Sequence, residues 1–162
     1  MTRWQSTCRV RGFCMRGCEM KDIFYNKTVT VYSKTAEGVE GTETWYPTVL
    51  KNVRMLVSRG ADTSKNGTDS ADSANLYVKP GMLPEGSKGY LPEKEWGRLP
   101  QKCKQYFYTF KSGESFFVEG DTTREEQRED FFGYMKERYD NCFMVTNVDR
   151  YDLIPHLEVG GA

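Results

Sequence analysis

Residues 44–80, TWYPTVLKNVRMLVSRGADTSKNGTDSADSANLYVKP, decide how this chain is read. An aromatic and β-branched segment, Thr44 to Val57, enters the stretch, and a second strand-like segment, Asn75 to Lys79, leaves it. Such residues suit a pleated, half-buried surface better than a helix. Pro47 and Asn52 mark places where the first segment bends or breaks, because proline cannot donate to a central ladder. Between the two lies a polar loop, 58–74, with hardly an apolar side chain in it. A loop that long within a small domain is uncommon and usually carries function or stays disordered.

The same short-strand grammar continues outward. Thr28 to Ser33 (TVTVYS) alternates, and Thr35 to Thr42 is a Gly-rich turn. Beyond the loop comes a Pro/Gly-rich connection, Pro80 to Pro100. Tyr106 to Phe110 and Ser115 to Glu119 flank a turn with Gly113 where a positive φ is needed, which predicts a hairpin. One helix is expected at about 122–139. Asp121, Thr122 and Thr123 offer its cap, Glu125 and Glu126 suit the positive end of its dipole, and Phe131, Phe132, Met135 and Tyr139 give an apolar stripe. Cys142 to Asn147 and Leu153 to Val159 complete the strands. The expected class is mainly β: a small barrel or sandwich of six to eight short strands with one helix.

Composition agrees with a single domain of 162 residues, expected to span 20–162 behind a flexible extension at 1–19. That extension holds Arg3, Arg9, Arg11 and Arg16 against a single acid, Glu19, and has neither strand nor helix periodicity. It lacks the apolar core of a secretory signal, so the chain is expected in the cytosol, with its cysteines reduced. Apolar residues make up only 38% and aromatics 14%, with a mean hydropathy of −0.70. No apolar run is long enough to span a membrane as a helix. Lys plus Arg and Asp plus Glu balance at 23 each, which gives no electrostatic case for a dedicated nucleic-acid or membrane binder.

The candidate chemistry is thin. Asp62, Ser64, Asn66, Gly67 and Asp69 follow the first positions of a calcium loop, but Ser73 stands where the bidentate Glu is required. Cys8, Cys14 and Cys18 lack the knuckle spacing and the fourth ligand of a zinc site, and Cys103 and Cys142 lie far away in sequence. His156 is the sole histidine and has no nucleophile motif behind it. Glu125, Glu126, Glu129 and Asp130 interleave with Arg124 and Arg128, as an ion-paired face does. Trp45, Tyr46, Tyr77, Phe107, Phe110, Phe116 and Phe117 are expected in the core or in subunit contacts. No catalytic residue, metal or cofactor is assigned. A calcium- or zinc-dependent binding module and a small hydrolase are the readings from other classes.

The order of segments has a further meaning. TVTVYSK, TWYPTVLKNVRM, SADSANLYV, GESFFVEG and the terminal HLEVGGA together resemble a family of small structural proteins of tailed bacteriophages, over roughly 22–161. The hairpin departs from that pattern, with Glu114 and Ser115 where Gly-Asp is more usual. The resemblance implies a non-enzymatic head-closure (head–tail joining) or minor capsid protein of the virion neck. Such a protein is a β-barrel that forms a homo-oligomeric ring beneath the portal and its adaptor and offers the tail a docking surface. A tail terminator is the close alternative. On this reading double-stranded DNA passes through the ring without sequence recognition. The loop 58–74, with Arg59, Asp62, Lys65, Asp69 and Asp72, becomes a channel or interface element.

Overall fold

The computed structural model describes residues 23–35, 43–64, 67–70, 72–79 and 88–162. The expected extension 1–19, with Cys8, Cys14 and Cys18, lies outside the described residues, as do 36–42 of the Gly-rich turn and 80–87 of the Pro/Gly-rich connection.

Six strands close a barrel. They are β1 (Lys27–Thr35), β2 (Thr44–Ser58), β5 (Ser73–Val78), β10 (His156–Gly161), β9 (Cys142–Tyr151) and β8 (Ser115–Glu119), in that order around the wall, with β8 returning to β1. Every seam is antiparallel. Closure gives each of the six strands a partner on both sides over part of its length, while the first half of β2 faces β1 alone. The mainly β expectation therefore holds, as a barrel.

β2 is one continuous strand of fifteen residues that serves two neighbours. Thr44 to Val53 pair with β1, and Arg54 to Ser58 pair with β5. Asn52, at φ +55°, is the extra residue at a bulge between these halves, where the ladder slips between Lys27 and Thr28. Asparagine tolerates the left-handed region better than most residues, so the bend falls where the sequence permits it. Pro47 makes no break. It lies opposite Tyr32, in the half of β2 whose other side faces no strand, and its missing N–H costs no ladder bond there.

Two apolar layers explain the strand patterns. Val29, Val31, Leu50, Leu76, Phe117, Val145, Leu157 and Val159 fill the barrel. Tyr32, Trp45, Phe116 and Val118 point outward beneath a helix, α3 (Phe131–Arg138), whose Phe131 and Met135 complete a second cluster. The Tyr32 ring stacks on Phe116 at 4.7 Å and meets Phe131 edge-on at 5.2 Å. β8 is thus buried on both faces, which is why SFFV shows no alternation.

Two expectations need correction. The helix at 122–139 begins only at Phe131, capped by Asp130, whose side chain accepts from the Gly133 N–H at 3.2 Å. Residues before it are claimed by the barrel instead. Tyr32 donates to the Thr122 carbonyl at 2.8 Å, and the Gln127 amide exchanges two hydrogen bonds with the Trp45 backbone. Two shorter helices, α1 (Glu93–Gly97) and α2 (Gln101–Lys104), sit at the connection expected to be irregular and just beyond it, so the described residues hold three helices and not one. The predicted 106–119 hairpin does not form. Its turn is real, with Gly113 at φ +73°, but β7 (Phe107–Tyr108) pairs in parallel with β6 (Gly89–Tyr90), while β8 pairs with β1 and β9.

The last residues fix how tightly the wall can close. A Cβ on Gly161 would stand 2.7 Å from the Phe117 ring and 2.8 Å from Phe143 Cβ, so only glycine lets β10 lie against those rings. Ala162 then exchanges two backbone bonds with Met144, at 2.9 and 3.0 Å.

Candidate functional site

The expected loop 58–74 is not a loop. It contains β3 (Ala61–Ser64) and β4 (Gly67–Ser70), paired antiparallel. Ser58↔Ser73 ends the β2–β5 ladder, and Ala61↔Ser70 opens the next one three residues further along each strand, so the register is unbroken. The pairs 54–58 with 73–77 and 61–64 with 67–70 therefore follow one antiparallel register, the second outside the barrel wall. From Ser58 to Ser64 this arm extends roughly 20 Å at ~3.3 Å per residue.

The predicted site residues distribute along this arm. Arg59 is exposed at its base, where its guanidinium donates to Asn141 Oδ1 at 3.4 Å. Asn141 in turn donates to Glu119, which is ion-paired with Lys27. Hydrogen bonds from Lys27 and then Asn141 hold the Glu119 carboxyl below the usual carboxylate range. Asp62 and Asp69 are direct cross-strand partners. Asp72 is half-buried just before β5. Lys65 lies outside the described residues. Of the apparent calcium pattern, Ser64 and Gly67 are register partners and the described residues on either side are strands, not helices, while Asn66 lies outside the described residues. Among the described residues no three His, Cys, Asp or Glu side chains gather as a metal site requires. His156 stacks on Tyr151 at 4.7 Å, and its Nδ1 lies 2.7 Å from the Ile154 carbonyl.

At the other end of the barrel lies a cleft of about 300 Å³ that sequence reasoning missed. Four lysines line it, Lys34, Lys94, Lys104 and Lys111, against two acids, Glu93 and Glu114. Lys111 is held by Glu114 at 2.7 Å and Lys34 by Glu43. Lys104 differs from both. It is 97% buried, and its amine has the Thr35 hydroxyl at 3.1 Å and the Trp96 ring centroid at 5.0 Å, with no carboxylate among the described residues. A buried cation normally has an acid partner, because hydroxyl and ring contacts replace only part of its lost hydration. Thr109, on the same wall, has a buried hydroxyl with no hydrogen-bond partner. Lys94 makes no ion pair among the described residues. The one hint in the sequence was a tryptophan inside the Pro-flanked segment 92–100, an unusual residue to spend on a plain linker.

Fold and site together define a closed six-stranded barrel with a projecting β-arm at one end and a cationic cleft at the other. Among the described residues no helix is long and apolar enough to cross a membrane. The chain belongs to a family of unknown function (DUF6751), whose model matches residues 24–162. A search of curated proteins finds no match.

Proposed function

We propose that this chain is a structural protein of a tailed-phage neck, a non-enzymatic subunit of a ring that closes the DNA-filled head and gives the tail its docking surface. The observation that carries this reading is the arm. The six barrel strands are already paired into a closed wall over most of their length, so this reading assigns contact with other subunits to the segment that leaves the wall. The register-continuous ribbon is the projection, and it is polar throughout. In a ring it is repeated once per subunit about the axis, next to the passage that DNA takes. The order of segments from TVTVYSK to HLEVGGA, with its phage resemblance, supports the same assignment.

The reading is tested in the phage that encodes the chain. Deleting 62–72 should leave the barrel folded, because the Ser58↔Ser73 pair closes the ladder without it. The variant should yield packaged heads that leak DNA and fail to join tails. Infectious, sealed particles from the deletion would refute it.

A further inference from the structure

We infer that the lysine cleft is a binding site for a carboxylate, with the Lys104 ammonium and the Thr109 hydroxyl as its buried partners. The site is independent of the neck reading above.

Two uncompensated groups line one cavity, and both are interior. Lys104 ends α2 and Thr109 follows β7, and they are only 3% and 2% exposed. β1 brings them to the same place. Ser33 and Thr35, two residues apart on that strand, project to the same side. The Ser33 hydroxyl holds the Thr109 backbone, donating to its carbonyl at 2.9 Å and accepting from its N–H at 3.2 Å. The Thr35 hydroxyl lies 3.1 Å from the Lys104 amine. The Trp96 ring centroid is 5.0 Å from that amine, and the indole is itself fixed by donating to the Phe107 carbonyl at 3.3 Å. An ammonium has three donors, and one hydroxyl accepts only one of them. The Thr109 hydroxyl has no partner at all among the described residues.

Charge and size select the ligand. Lys111 is held by Glu114 at 2.7 Å and Glu93 at 3.8 Å, and Lys34 pairs with Glu43. One buried positive charge is left without a counter-charge, with Lys94 exposed at the rim. A carboxylate brings one negative charge and two acceptor oxygens, which suit one ammonium and one hydroxyl. A phosphate would bring a charge of about −1.5 to −2 beside Glu93 and Glu114, and no arginine lines the cleft to compensate it. The volume of about 300 Å³ is at the low end for small-ligand sites. It suits a small acid, or the single carboxylate of a peptide side chain or terminus. Either would supply the missing partner that a buried cation otherwise lacks.

The test is an NMR titration of the full chain with sodium acetate at fixed ionic strength, read at the Trp96 indole N–H. That signal is identified among the three tryptophans by its loss in Trp96→Phe. Acetate should shift it saturably, with a dissociation constant on the order of 1–10 mM, and inorganic phosphate and chloride should bind roughly tenfold more weakly. Thr109→Val removes a hydroxyl that has no partner in the protein, so it should melt no lower than wild type yet bind acetate about tenfold more weakly. Lys104→Met should abolish the shift. If that variant does not fold, Thr109→Val decides alone. Two capped peptides, one with a free terminal carboxylate and one with a Glu side chain, identify the source. Binding tighter than acetate assigns the carboxylate to a polypeptide, and binding no tighter assigns it to a free acid. An indole signal that acetate leaves unmoved, phosphate that binds more tightly than acetate, or variants that titrate like wild type would overturn the inference.

Discussion

The terminal Gly160-Gly161 pair gives the sharpest test of the packing. A methyl at Gly161 would meet Phe117 Cζ at 2.7 Å and Phe143 Cβ at 2.8 Å, whereas ordinary contact begins at 3.4 Å, so a shift of about 0.7 Å is required. Both rings are buried in the barrel, and Phe143 Cβ is nearly as fixed as backbone. Overpacking of this kind costs ~1–3 kcal/mol. The entropy removed from the unfolded chain returns roughly 0.4–1 kcal/mol. Gly161→Ala should therefore lose about 1–2 kcal/mol, or about 2–8 °C in Tm. Gly160 is the control. Its added Cβ would stand 2.0 Å from Asn147 Oδ1, a worse clash on paper, but Asn147 is an exposed side chain that can swing away. Gly160→Ala should stay within about 0.5 kcal/mol of wild type. Phe117→Leu in the Gly161→Ala background should recover part of the loss, with a coupling above ~0.5 kcal/mol. Urea unfolding of wild type, the three single variants Gly161→Ala, Gly160→Ala and Phe117→Leu, and the double variant decides it. Equal effects at the two glycines, or a neutral Gly161→Ala, would refute the packing argument.

Other outcomes follow from single residues. Asn52→Ala should cost about 1–2 kcal/mol because alanine resists φ +55°, while Asn52→Gly should be near neutral in the same unfolding assay. Glu119 and Glu125 are both held below the ordinary carboxylate value of 4.5, Glu119 chiefly by Lys27 and Glu125 chiefly by the Tyr139 and Tyr134 hydroxyls. Their stabilisation is present above that value and lost as pH falls through the lower folded ones. Urea midpoints should therefore drop on the acid side between about pH 7 and pH 3, less steeply in Glu119→Gln. Burial pushes the Cys142 thiol up to about 12, so under native conditions it should be the slowest cysteine to alkylate, and peptide mapping reads the order directly.

What the sequence made legible was the strands whose two faces differ. β1 alternates because Val29 and Val31 fill the barrel, and Asn52 announced the bend in β2. The errors have physical causes. Asp121 to Thr123 carries good cap chemistry, but Thr30 and Tyr32 bind Thr122, and Trp45 binds Gln127 beyond it, in a non-helical path. Phe107 and Tyr108 read like a hairpin partner of β8, yet the Ser33 hydroxyl fastens the neighbouring Thr109 backbone at 2.9 Å and turns the chain toward β6. The arm has no apolar alternation to read, and its register appears only through the ladder it continues. The cleft was illegible because Thr35, Trp96, Lys104 and Thr109 meet only in the fold.

Electron microscopy of the tailed-phage particle in which we propose this chain resides tests the central claim most directly. The account predicts a ring of barrels between portal and tail, each reaching its neighbour through the ribbon 58–73. Density for the barrel elsewhere in the particle, or a single copy outside any ring, would contradict it.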